Sequence, residues 1–233
     1  GGISLLPSQF GTTAVPRTAV IVGKAGLFYL LNRDKMGGYQ VGAGGSDDVL
    51  TTVNLSGATW GHPAVWPGDG GYVFVTSNGG TGGLGYRLQV LKYGVNGTKP
   101  TISLVGTAQT AGVTDNFGAY SGSPVVTSNG TNAGSAVVWC VGNTAQLRVY
   151  KLNGSNLTRI FADSTGSTAK FQTVGVGSGR VYVGTGDGNV LGYGAGTASV
   201  TGAALDFGTV AVGQQKVLTA TIKANQNLTI PAG

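Results

Sequence analysis

Three short segments carry aromatic and polar side chains at matching places: Trp60-Gly61-His62-Pro63, Tyr120-Ser121-Gly122-Ser123-Pro124 and Lys170-Phe171-Gln172-Thr173. Rings beside amide, hydroxyl and ammonium groups suit binding, because the rings supply contact area while a few polar groups fix orientation. Trp60, His62, Tyr120, Ser121, Lys170 and Gln172 are therefore the candidate binding residues. The competing structural reading is that Trp60, Tyr120 and Phe171 wedge between elements as packing, since large aromatics dominate cores generally.

Catalytic chemistry finds fewer handles. His62 is the only histidine, and a lone histidine with no Cys or His partner at ligand spacing makes no zinc site, so a capping or packing role is expected of it. Cys140 is the only cysteine, which excludes an internal disulfide. Its flanks Val137, Val138, Trp139 and Val141 predict a buried thiol rather than a nucleophile. Asp47 and Asp48 are adjacent in a glycine and serine loop, while Asp69, Asp163 and Asp187 sit beside glycine or serine, where aspartate caps its own backbone. No spacing among them argues for the opposed carboxylates that a glycosidase needs. No catalytic residue, metal ligand or cofactor is assigned. The Asn-Xaa-Ser/Thr triplets at Asn54, Asn96, Asn129, Asn153, Asn156 and Asn227 read as turns in a chain of this composition.

The elements that must hold these residues are strands. Of 233 residues, 44 are glycine and only 9% are charged. The glycines follow no three-residue period and proline numbers only 7, which excludes collagen. Apolar residues recur in compact runs that can bury a core, which argues against disorder. None of those runs reaches the ~18 apolar residues of a membrane-spanning helix. The formal net charge of +6 comes from 14 scattered Lys and Arg against 8 Asp and Glu, with no basic stripe for nucleic acid.

Helical periodicity is nearly absent, and four hairpins of one design recur. TAVIVGK (Thr18 to Lys24) leads into GLFYLLNR (Gly26 to Arg33), and GYVFVTSN (Gly71 to Asn78) into YRLQVLKY (Tyr86 to Tyr93). SAVVWCVG (Ser135 to Gly142) leads into AQLRVYKL (Ala145 to Leu152), and GRVYVGTG (Gly179 to Gly186) into GNVLGY (Gly188 to Tyr193). Val20, Phe74, Val137 and Val181, taken as equivalent, lie 54, 63 and 44 residues apart, near the period of a four-stranded propeller blade. A third strand is expected before the later hairpins, at His62 to Trp66, Gly122 to Thr127 and Phe171 to Val176, and a fourth at Thr101 to Gln109 and Leu157 to Asp163. A single sheet with two apolar faces cannot cover either alone, so neighbouring sheets must stack.

LLPSQFG with VIVGKAGLFYLLNRDKMGG (Val20 to Gly38), and the stretch from GSPVVTSNGTNAGSAVVW at Gly122 through AKFQTVGVGSGRVYVGTGDGNVLGYG to Gly194, resemble exported bacterial propellers of the pyrroloquinoline-quinone-like repeat superfamily. LDFGTVAVGQQ (Leu205 to Gln215) resembles the opening of a choice-of-anchor, immunoglobulin-like module. The resemblance implies an all-β chain with about four propeller blades over residues 1–195, a linker over 196–202 and a truncated immunoglobulin-like segment over 203–233. Such rings have roughly seven or eight blades, so missing N-terminal blades of the same protein are an expected partner, with a closed four-bladed ring as the alternative that length permits. Gly1 to Pro7 reads as neither a leader nor a start, so the chain is expected to begin inside a longer protein.

The resemblance places binding at the channel mouth, where the three aromatic segments meet the innermost strands. It implies a non-catalytic, secreted or cell-envelope scaffold that binds a protein or a glycan, without nucleic acid or a membrane span. The alternative is a quinoprotein oxidoreductase whose active site lies in the missing blades. Superfamily members with that chemistry use a calcium cluster, an aspartate base and often a vicinal cysteine pair. None of those patterns is present here, so no functional residue is carried over.

Overall fold

A computed structural model of the chain describes residues 1–78, 85–194, 200–201, 209, 214–215 and 223–224. Among them there is no α-helix, and the protein is all-β. Strands β1 (Ile3–Leu5), β2 (Thr18–Val22), β3 (Leu27–Asn32) and β4 (Thr51–Asn54) form an antiparallel meander in chain order. A second meander comprises β5 (Ala64–Trp66), β6 (Tyr72–Asn78), β7 (Tyr86–Asn96) and β8 (Lys99–Thr110), with β9 (Val113–Thr114) folded back on β8. A third comprises β10 (Val125–Thr127), β11 (Val137–Gly142), β12 (Gln146–Asn153) and β13 (Asn156–Ser164). A three-stranded fourth sheet comprises β14 (Gly175–Gly177), β15 (Arg180–Gly184) and β16 (Val190–Gly194).

Local chemistry accounts for these hairpins. Runs such as TAVIV and LFYLLN are β-branched or aromatic and suit a pleated, buried surface. The β7–β8 and β12–β13 turns are two-residue loops whose first residues, Gly97 and Gly154, take φ of 60° and 58°. That is the left-handed conformation a type II′ turn asks of glycine.

The second and third meanders are joined at one margin by β13, which pairs parallel to β8 through Leu157 with Ala108 and Thr158 with Gln109. At the other margin β5 lies beside β10, so these nine strands make one nearly closed, barrel-like sheet. Their registers coincide. Ala64, Phe74 and Val90 form one row of the second meander, and Val125, Trp139 and Val149 the corresponding row of the third. Each has a bulge at the same place, at Val105 in β8 and Ile160 in β13. The register refines the equivalence expected from sequence: Trp139 and Tyr182, rather than Val137 and Val181, match Phe74.

The first sheet, the two halves of the nine-stranded sheet and the three-stranded sheet, called the first to fourth sheets below, pack in chain order around three separate cores. Val20, Phe28 and Leu30 of the first sheet meet Val73, Val75 and Leu91 of the second. Phe74, Leu88 and Val90 of the second meet Val138, Cys140 and Tyr150 of the third. Val141, Leu147 and Val149 of the third meet Val181 and Val183 of the fourth. Successive residues of a strand point to opposite faces, so Phe74 enters one core while its neighbours Val73 and Val75 enter another. Burial on both faces explains why so few residues are charged. Each fully buried Val, Leu or Phe side chain contributes about 1.5–3 kcal/mol.

All four expected hairpins are present, as are the strands expected before the later hairpins and the two expected as fourth strands. β1 and β4 were not expected. Val200–Thr201 pairs with Lys223–Ala224 in a two-residue ladder. The rest of the expected linker at 196–202 and almost all of the expected immunoglobulin-like segment over 203–233, with its motif from Leu205 to Gln215, lie outside the described residues. No helix among the described residues is long and apolar enough to cross a membrane.

Candidate functional site

Trp60, Tyr120 and Phe171 sit in the loops that enter β5, β10 and β14, the first strands of three successive sheets. Face-to-face stacking of those sheets brings the loops together, and the three rings form one cluster. Ring centroids lie 5.3 Å apart for Trp60 and Tyr120, 5.9 Å for Tyr120 and Phe171, and 6.5 Å for Trp60 and Phe171. These separations fall within the usual range for aromatic pairs. Trp60 and Tyr120 are half-buried, and Phe171 is 49% exposed, so the cluster presents ring surface to solvent.

A hydrogen-bonded ladder locks the loops to one another. The His62 N–H donates to Ser123 Oγ at 3.1 Å, and the Ser123 N–H donates to Thr173 Oγ1 at 3.2 Å. The Phe171 N–H donates to the Tyr120 carbonyl at 2.8 Å. The approach is so close that a Cβ on Gly122 would stand 1.4 Å from the Gln172 carbonyl oxygen, so only glycine fits there. Tyr120 and Phe171 both hold φ at 63°, a left-handed conformation that costs a bulky residue about 1–3 kcal/mol. The loops are thus built to fix ring positions against local preference.

Two ammonium groups flank the rings. Lys24 Nζ lies 4.6 Å from the Trp60 ring centroid, and Lys170 Nζ lies 4.8 Å from that of Tyr120. Each is placed for a cation–π contact. Among the described residues neither lysine joins an ion pair, so both keep positive charge available beside the rings. The Trp60 indole N–H donates to the Tyr86 hydroxyl at 3.4 Å, which orients the indole.

The six sequence candidates divide by what their side chains touch. Trp60, Tyr120 and Lys170 come together in the cluster. The exposed His62 ring has Nδ1 3.3 Å from the Pro63 carbonyl. Ser121 is buried, with its hydroxyl turned onto the Phe117 and Gly118 carbonyls at 2.9 and 2.6 Å. Gln172 is buried too: its Nε2 donates to the Gly184 carbonyl at 2.6 Å, and its Oε1 accepts from the Ala169 N–H at 3.4 Å. Ser121 and Gln172 therefore shape the loops that carry the rings.

No family model and no curated protein sequence matches the chain. What the site can do rests on its own atoms. Lys24 and Tyr86 escaped the sequence reading, and each belongs to a hairpin of a different meander. The only local signal was the lysine in the turn between β2 and β3.

Cys140 is fully buried, and burial pushes its thiol up to about 12, opposed by the nearby Arg148 charge. It is no nucleophile in this fold. Among the described residues, no three His, Cys, Asp or Glu side chains gather where they could hold a metal.

Proposed function

We propose that this chain is a non-catalytic β-propeller scaffold of an exported or cell-surface protein that binds a glycan through the Trp60, Tyr120 and Phe171 cluster. The observation that carries the reading is three pre-positioned, solvent-reaching rings beside two ammonium groups with no ion-pair partner among the described residues. Aromatic faces carry partial negative charge and take the polarised C–H faces of sugar rings, while the lysines can donate to sugar oxygens. The propeller part of the reading draws on four β-meanders stacked in chain order, the coincident registers of two of them, and loops that converge where first strands begin.

A screen of the chain against immobilised glycans and cell-envelope proteins tests the proposal. Binding to glycans that falls about tenfold or more in Trp60→Ala, with the melting temperature little changed, is the expected result. Binding to envelope proteins alone would replace the glycan with a protein partner. Turnover of an alcohol or sugar substrate with no binding at the cluster would overturn the scaffold reading.

A further inference from the structure

The loops that carry the three rings also gather positive charge without its counterpart. Lys24 stands in the turn between β2 and β3, and Lys170 directly precedes Phe171 in the loop that enters β14. Both lysines are exposed, so a ligand can reach them. Their ammonium groups lie 4.6 Å from the Trp60 centroid and 4.8 Å from that of Tyr120, and those two rings are 5.3 Å apart. Two neighbouring rings thus each hold a cation of their own.

Among the described residues no carboxylate pairs with either lysine. The sequence has no glutamate, and the described aspartates are engaged elsewhere. Asp34 and Asp48 pair with Arg17 and Lys35, and Asp47 accepts from the Gln40 N–H. Asp115 and Asp163 accept from the Tyr150 and Tyr193 hydroxyls at 2.7 and 3.1 Å, while Asp69 and Asp187 accept from the Gly134 N–H and the Thr185 hydroxyl.

An aromatic face carries partial negative charge and by itself disfavours an anion. An ammonium held beside the ring reverses that preference, while the ring keeps its contact area for a sugar. The charge on these loops therefore complements a glycan that bears anions rather than a neutral one. We propose that the cluster selects an acidic polysaccharide, with its carboxylates or sulfate esters on Lys24 and Lys170 and its sugar rings against the exposed ring surface, that of Phe171 included. The proposal rests on the glycan reading above and adds to it the class of glycan.

Calorimetric titration of the full 233-residue chain with polygalacturonate and its methyl ester, and with dextran sulfate and dextran, tests the selection. Each acidic polymer shares its backbone with its neutral partner, so the anion is what differs. At least one acidic polymer should bind about threefold to tenfold more tightly than its neutral partner at low salt, and added salt should narrow the gap. Changing Lys24→Gln together with Lys170→Gln should close it. Changing Lys99→Gln together with Lys151→Gln, which removes the same charge beside the β7–β8 and β12–β13 turns, should leave it open. A larger gap for polygalacturonate assigns the anion as a uronate, and a larger gap for dextran sulfate assigns it as a sulfate ester.

Equal binding of acidic and neutral polymers, equal loss in the two double variants, or a gap that survives the change of Lys24 and Lys170 would overturn the proposal. Where the binding then observed still needs Trp60, the glycan reading stands without it. Binding of no polymer, or acidic binding that Trp60→Ala leaves intact, would overturn both.

Discussion

At the scale of single residues, Cys140 shows how burial sets chemistry. Its thiol is raised from 9.0 to about 12 because no water reaches it between the second and third sheets. A raised folded value means that the native state prefers the protonated form. Its contribution to stability is whole below about pH 9 and is lost as pH climbs towards 12. A thiol-directed reagent at neutral pH should therefore label the native chain far more slowly than the denatured one. Equal rates would show that the second core is open. The valines and tryptophan around Cys140 announced this burial in the sequence, since they form a strand apolar on both faces. The pairing of Lys24 with Trp60 was illegible there, because it arises from the stacking of two sheets and leaves no local spacing to read.

At the scale of elements, the loops before β5, β10 and β14 are tied to one another by the His62–Ser123, Ser123–Thr173 and Phe171–Tyr120 hydrogen bonds. Gly122 is the point of closest approach, and Gly122→Ala must push the Gln172 carbonyl aside. We expect it to destabilise the fold by about 3 kcal/mol, read by thermal or denaturant unfolding. Gly175→Ala, where an added Cβ meets nothing within 4 Å, should stay within about 0.5 kcal/mol of the parent. Similar losses from both would mean that the loop crossing is not the constraint. The hairpins were legible because β-branched runs are punctuated by glycine turns, as at Gly97 and Gly154. β1 and β4 were missed because each is only three or four residues long, and ISL and TTVN hold their shape through partners in β2 and β3.

At the scale of the whole molecule, the outer faces of the first and fourth sheets are uncovered among the described residues. Ile3 and Ile21, cross-strand partners on the outer side of the first sheet, are exposed, as are Tyr182 and Val190 in the fourth. Contiguous apolar surface of this kind favours association. Sedimentation of the chain should show a mass that grows with concentration, and Ile21→Lys should reduce that growth. A monomer at every concentration would show that these ends are tolerated in water. The all-β class was legible from composition and period, whereas the parallel seam between β13 and β8 was not, because it joins residues about fifty positions apart that share no pattern.

The three cores are separate, so apolar cohesion passes mainly between neighbouring groups of strands, with the Trp60–Phe171 contact also joining the loops that enter the second and the fourth. Melting can then begin at an end and travel inward. Among the described residues the fourth sheet has three strands and is held by one core, so fraying is expected to start there, and the two middle groups of strands, clamped on both sides, are expected to give way last.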